Sequence, residues 1–262
     1  MVRKLFPIFS HSFTGKVWNI VSDRRGDQLL IETREESKFS TTFYIYDRVN
    51  NTLTIKDLAF EEKWWIGISY FNGPVVVFHT FPGSENPDQK EFFAYDLHQQ
   101  EVLWNKTDIN IIDFDDDSLL AYSEDGEVAQ KYDLMTGEPI TLGSTAARGK
   151  ERHKFIKHPF HYAQGSDHFT TVAQFLSQHG FEGLERGIDY FEGNEVVIMA
   201  FYQGGTELVN DLLVMNMDQE VILQERLGSG LKGISDRAFF ICHNTLIFVK
   251  NNTDFFSFQL PG

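Results

Sequence analysis

A short phrase recurs along this chain at intervals of roughly forty residues, and it limits the available folds more than any other feature. Its fullest form is Lys131-Tyr132-Asp133-Leu134-Met135-Thr136-Gly137-Glu138-Pro139-Ile140, two apolar half-strands around a turn built on Asp and Gly. Asp can bond its own backbone two residues on, and Gly takes positive φ without steric cost. Shorter versions are Tyr44-Ile45-Tyr46-Asp47 with Leu53, Phe93-Ala94-Tyr95-Asp96 with Val102, and Val214-Met215-Asn216 with Ile222. Repeats of this period stack one supersecondary unit on the next.

Around each phrase, period-two alternation and turn residues mark blocks of four strands, a to d. The first block covers 17–21, 29–33, 43–46 and 53–55, and the second 65–71, 75–79, 92–95 and 101–104. The third covers 109–114, 119–123, 128–132 and 140–142, and the fourth 188–191, 196–202, 212–215 and 221–224. The fifth has only 239–242, 245–249 and 255–258. The leading apolar stretch 4–13 has no partner in its own block, so it is expected to complete the last one and remove an open sheet edge. The expected fold is all-β: a single β-propeller over 1–262, of five four-stranded blades, closed by the N-terminal strand.

Strand b begins at Leu29, Val75, Leu119, Val196 and Leu246, spacings of 46, 44, 77 and 50 residues. The 77 holds either an insertion at about 144–187 or a sixth, degenerate blade. Within it 146–152 reads as a polar loop. From Ser166 or Asp167, either a good N-cap, the positions Phe169, Val172, Ala173 and Leu176 share one helical face, and Gly180 is placed to stop the turn. Thr170-Thr171-Val172 would also suit a hairpin strand, as a sixth blade requires.

With 25 Phe, 9 Tyr and 4 Trp the chain can bury a sizeable core. The formal charge of −15 repels polyphosphate and anionic lipid, so neither nucleic acid nor membrane is expected as a partner. The single cysteine, Cys242, excludes an internal disulfide and any CxxC motif, and its apolar neighbours mark it as a core residue. The N-terminal apolar stretch is too broken for a signal peptide, and no run reaches the length of a membrane span. A cytoplasmic monomer is expected.

Tyr95-Asp96 to Val102-Leu103-Trp104 and Tyr132-Asp133 to Thr136-Gly137-Glu138 resemble the repeats of quinoprotein-like and other tryptophan-motif β-propellers. The order of features across the chain, including His79-x-Phe81 and Asn210-Asp211-Leu212-Leu213-Val214, also looks like an uncharacterised bacterial family of unknown function. The first resemblance implies a fold, and neither implies a catalytic residue.

The long connections, 35–42, 80–91, 144–187 and 203–210, are all b–c or d–a and should crowd one face, where long loops usually carry function. His79 ends a strand b there, and His158, His161 and Tyr162 open the insertion. Trp65, half of the doublet Trp64-Trp65, is placed to be an exposed contact residue. The histidines have no metal-ligand spacing, so neither metal nor cofactor is expected. The run Asp113, Asp115, Asp116, Asp117 lacks the Gly and terminal Glu of a calcium loop and reads as a solvated turn. No nucleophile elbow, phosphate loop or dinucleotide fingerprint is present. The leading expectation is a non-enzymatic module that binds a protein partner on the long-loop face. The alternative is a small-molecule-binding protein or enzyme with its pocket at the axial channel mouth, lined by His158, His161 and Tyr162.

Overall fold

The computed structural model describes residues 4–83, 89–107, 109–123, 126, 128–140, 155–235 and 237–262. It opens with β1 (Pro7–Ser12). The first sheet is β2 (Lys16–Ser22), β3 (Gln28–Glu35), β4 (Ser40–Asp47) and β5 (Thr52–Leu58), and the second is β6 (Ile66–Asn72), β7 (Val75–Thr80), β8 (Glu91–Asp96) and β9 (Glu101–Lys106). The third is β10 (Ile109–Phe114), β11 (Ser118–Ser123) and β12 (Gln130–Asp133), with Pro139 bridging Tyr132 where a fourth strand would begin. Then come β13 (Ile156–Lys157), β14 (Phe160–Ala163) and helix α1 (Asp167–Gln178). The fourth sheet adds β15 (Leu184–Glu192), β16 (Val196–Gln203), β17 (Leu208–Asn216) and β18 (Val221–Leu231), and the fifth β19 (Phe239–Cys242), β20 (Thr245–Lys250) and β21 (Asp254–Gln259). The chain is all-β, built of several antiparallel sheets in sequence order, and β1 pairs antiparallel with β21. Among the described residues no helix is long and apolar enough to cross a membrane.

The chain divides into two compact units, Trp18–His153 and Met1–Val17 with Lys154–Gly262. In the first, strand β7 shows why sheets must stack. Val75, Val76, Val77 and Phe78 are all buried, and alternate residues leave opposite faces of a strand. Val76 and Phe78 pack with Leu30, Phe43 and Ile45 of the first sheet, while Val75 and Val77 pack with Leu119 and Ala121 of the third. In the second unit, Ile198, Leu212 and Val214 of the fourth sheet pack with Ile241, Leu246 and Phe248 of the fifth. Cys242 is fully buried there.

The recurring phrase is a turn whose side chain supplies the acceptor. Asp96 Oδ1 accepts the N–H groups of His98 (2.7 Å) and Gln99 (2.9 Å), and Asp133 Oδ1 those of Met135 (3.0 Å) and Thr136 (2.8 Å). Asp47 Oδ1 accepts the Asn50 N–H, and Asn216 Oδ1 accepts those of Asp218 and Glu220. Each turn then passes through the left-handed region, at Asn51, Gln100, Gly137 and Gln219. Trp104 docks the second sheet on the third: its indole Nε1–H donates to Leu134 O at 2.8 Å, and its ring leaves no room for a side chain at Gly137.

Sequence and structure differ in three places. The connections expected to be long at 35–42 and 203–210 are tight hairpins, because polar residues extend the ladder past the apolar core: Thr33 pairs with Thr42, Arg34 with Thr41, and Gln203 with Val209. The insertion is not only loop and helix. Residues 156–157 pair with β19 and 160–163 with β15, so it adds an edge strand to each of two sheets. Thr170-Thr171-Val172 is helical, not a hairpin strand. Ser166 caps α1 by accepting the Phe169 N–H, and Phe169 and Leu176 bury the expected face against the fourth sheet. The expected loop at 146–152 and the end of the strand at 140–142 lie outside the described residues.

Gly137→Ala is expected to lower unfolding stability by about 1–3 kcal/mol, since the new Cβ meets both a left-handed φ of 69° and the Trp104 ring. Gln100→Gly, at the matching turn position, is expected to change it by less than about 1 kcal/mol; urea denaturation midpoints measure both.

Candidate functional site

In the unit Trp18–His153, the ends of β2, β3, β6 and β7 gather an aromatic rim. Arg34, on β3, lies between two indoles, its guanidinium carbon 5.0 Å from the Trp18 ring centre and 5.3 Å from that of Trp64. Its Nε donates to Glu32 Oε1 at 2.8 Å, and Nη2 donates to Ile66 O at 3.0 Å. Burial pushes the Glu32 carboxyl above its ordinary range even though Arg34 opposes the shift. The pair therefore acts as a clamp: the carboxylate fixes the guanidinium, and the guanidinium spaces the rings.

Phe39, in the β3–β4 turn, sits edge-on to Trp64 at 5.4 Å with φ at 47°. A bulky side chain in the left-handed region is a strained choice. Glu62 Oε1 accepts the N–H groups of both Trp64 and Trp65 at 2.8 Å, which sets the doublet at the entry to β6. Trp64 is half-buried, while Trp18, Phe39 and Trp65 are 64%, 66% and 53% exposed. Trp65 meets Phe81, and Lys90 lies over the Phe81 ring.

His79 follows on β7. Its Nδ1 shares a 2.8 Å hydrogen bond with Ser69 Oγ, and its ring lies over Gly67, where a Cβ would come within 2.8 Å. Burial, with the Lys90 and Arg34 charges adding to it, lowers the imidazole to about 4, so it is neutral at physiological pH.

In the unit of Met1–Val17 with Lys154–Gly262, the three remaining candidates have separate surroundings. His158 is exposed beside Phe240. Tyr162 stacks on His168 and Tyr190 on the helix side of the fourth sheet. His161 leaves β14 on the opposite face and pairs with Asp189, its Nδ1 2.7 Å from Oδ1. Adjacent residues of one strand cannot line one wall, so His161 and Tyr162 do not form a common lining.

The acidic run is a bonded turn. Asp115 meets Lys131 at 3.0 Å, Asp116 pairs with Arg24, and their carbonyls accept from Tyr70 and Asn72.

Of the residues singled out from the sequence, Trp65 and His79 lie among the strand ends of the rim, and Trp18, Arg34 and Phe39 join them only in the structure. The available signal was register: Trp18 and Trp65 both stand at the entry to the first strand of a block. Arg34 gave none, because a charged residue near a strand end reads as solvated.

A family model described as a domain of unknown function (DUF4905) matches residues 22–104, less than half of the chain but including all of the rim except Trp18. No curated protein matches. Similar solved structures include a eukaryotic initiation factor, at 12% identity and TM-score 0.34, covering 95% of this chain and 53% of that one. Another is the β-propeller domain of the Trilobed protease from Pyrococcus furiosus, at 12% identity and TM-score 0.29, covering 90% and 65%. A third is a member of the duf4221 family from Bacteroides vulgatus, at 10% identity and TM-score 0.28, covering 98% of each chain. This chain thus spans about half the length of the first and under two thirds of the second. Likenesses this remote say nothing about function.

Arg34→Ala is expected to cost about 3–5 kcal/mol by leaving the buried Glu32 carboxylate unpaired. Replacing both residues by Leu should recover most of it, as a double-mutant cycle of urea midpoints would show. His79 gives a pH signature. Its lowered value means that stability is fully present above the ordinary imidazole value, near pH ~6.5, and is lost as pH falls toward about 4. Unfolding of His79→Asn against the parent across that window should show the parent losing of order 1–2 kcal/mol more, after solvent screening.

Proposed function

We propose that the chain is a single-domain β-propeller of five four-stranded blades that works, as a cytoplasmic monomer, by binding a protein partner on the rim of Trp18, Phe39, Trp64 and Trp65. The observation that carries the reading is the exposure of Trp18, Phe39 and Trp65 at strand ends and a turn of one unit, with Arg34, held by the buried Glu32, set between the Trp18 and Trp64 rings. Tryptophan and arginine dominate binding energy at protein interfaces, and a rim held rigid before contact loses little entropy on docking. Strain at Phe39 points the same way, since unfavourable backbone is retained where a side chain must be presented. The net charge of −15 favours a basic partner.

The propeller reading is supported by sheets in sequence order, consecutive sheets packed face to face within each unit, and β1 completing the last sheet. Kinship with tryptophan-motif repeats is supported by the docking of Trp104 on the Asp133 turn. In a propeller the first strand of each blade lies nearest the axis. The inserted strands β13 and β14 pair with such first strands, β19 and β15, so in this reading the insertion takes up axial space that a small-molecule pocket would need. That favours the protein-binding reading over the pocket.

The test compares the protein with its Trp18→Ser/Phe39→Ser/Trp65→Ser variant, shown by circular dichroism to remain folded. A partner captured from cell extract by the parent is identified, purified and titrated calorimetrically against both. Binding weakened by about 100-fold or more in the variant is the expected result. Equal affinity removes the rim from the reading, and capture of nothing by the parent removes the protein-binding function itself.

A further inference from the structure

We propose that His161 is a carboxylate-oriented proton acceptor, a site for a small protic ligand such as a hydroxyl compound, thiol or activated water. Asp189 lies directly across from His161 in the β14–β15 ladder and is 2% exposed. Its Oδ1 meets His161 Nδ1 at 2.7 Å, and its Oδ2 accepts the Ala238 N–H at 2.8 Å. An ionised carboxylate can only accept, so Nδ1 carries the proton and the Nε2 lone pair stays open.

The other contacts fix the ring as closely. Gly187, one register step from Asp189 on the same face, leaves the space the imidazole fills: a Cβ there would come within 2.5 Å of Cε1 and 2.7 Å of Nε2. Nearby in sequence, Ser235 is held by Tyr202, whose hydroxyl oxygen accepts the Ser235 N–H at 2.8 Å. His79 also lies over a glycine, but its Nδ1 meets a serine hydroxyl, whereas His161 meets a buried carboxylate. Nε2 makes no hydrogen bond among the described residues, and 34% of the side chain remains exposed. A ligand O–H or S–H placed at Nε2 donates a hydrogen bond to the lone pair, and a ligand acidic enough, such as a thiol, passes its proton to it. The imidazolium so formed is stabilised by Asp189, and the ligand is left as the anion, without an oxidant or other co-reactant.

The inference is independent of the rim reading, and its test reads the histidine itself. Diethyl pyrocarbonate acylates an unprotonated imidazole nitrogen, and peptide mass mapping gives a rate for each histidine. His161 should react faster than the exposed His98, and Asp189→Asn should slow His161 by about tenfold while leaving His98 unchanged. Should Asp189→Asn fail to fold, long-range 15N correlation spectra of the parent decide the matter. The Nδ1–H tautomer with an unprotonated Nε2 supports the assignment. The Nε2–H tautomer, or a His161 rate below that of His98 and indifferent to Asp189→Asn, overturns it.

Discussion

Everything in this protein depends on central strands that have no polar face. Val75–Phe78 and Ile198–Phe201 are apolar at every position, and burying alternate residues on opposite sides requires cover on both faces. A single sheet of this composition would expose one face to water at about 25 cal/mol for each Å² of apolar surface. Stacked sheets avoid that cost, and repetition of the block follows from it. On the face of the fourth sheet that carries Met199 and Phe201, helix α1 supplies cover through Phe169 and Leu176.

Buried carboxylates stand inside the ladders, Glu32 in β3, Asp189 in β15 and Asp211 in β17. There a buried carboxylate must find hydrogen bonds or a cation. Glu32 finds Arg34, Asp211 finds Arg226 through two bonds of 2.8 and 3.0 Å, and Asp189 finds His161 and a backbone N–H. The three solutions differ in what they leave available. Arg226 bonds its carboxylate and Arg34 its carboxylate and two indoles, but His161 has one nitrogen without a hydrogen bond among the described residues. The same requirement therefore yields a rigid aromatic rim in one place and a positioned imidazole in another.

Much of this was legible beforehand. Strand positions followed from alternation because each block has an apolar middle and punctuated ends. The helix followed from the spacing of Phe169, Val172 and Leu176 after a Ser cap. The hairpins at 36–39 and 204–207 were hidden because Thr, Arg, Glu and Gln read as loop, although a ladder accepts them readily at its ends. The edge strands β13 and β14 were hidden for another reason: four residues or fewer carry too little pattern to show a period. Of the candidate residues, His79 and Trp65 were singled out by their positions in a block, whereas His158, His161 and Tyr162 were grouped by nearness in sequence, which the pleat undoes for His161 and Tyr162.

The amino-acid sequence by itself determined the repeating sheet, its Asp-capped turn and the burial of its middle strands. These depend on residues within one block, which interact whatever lies beyond them. Tertiary structure alone decided that Arg34 stands between Trp18 and Trp64, that Trp104 seats on Gly137, and that His161 faces Asp189 across Gly187. Each of these joins residues 16 to 33 positions apart through a strand register or the stacking of two sheets, and no local pattern encodes which partner arrives.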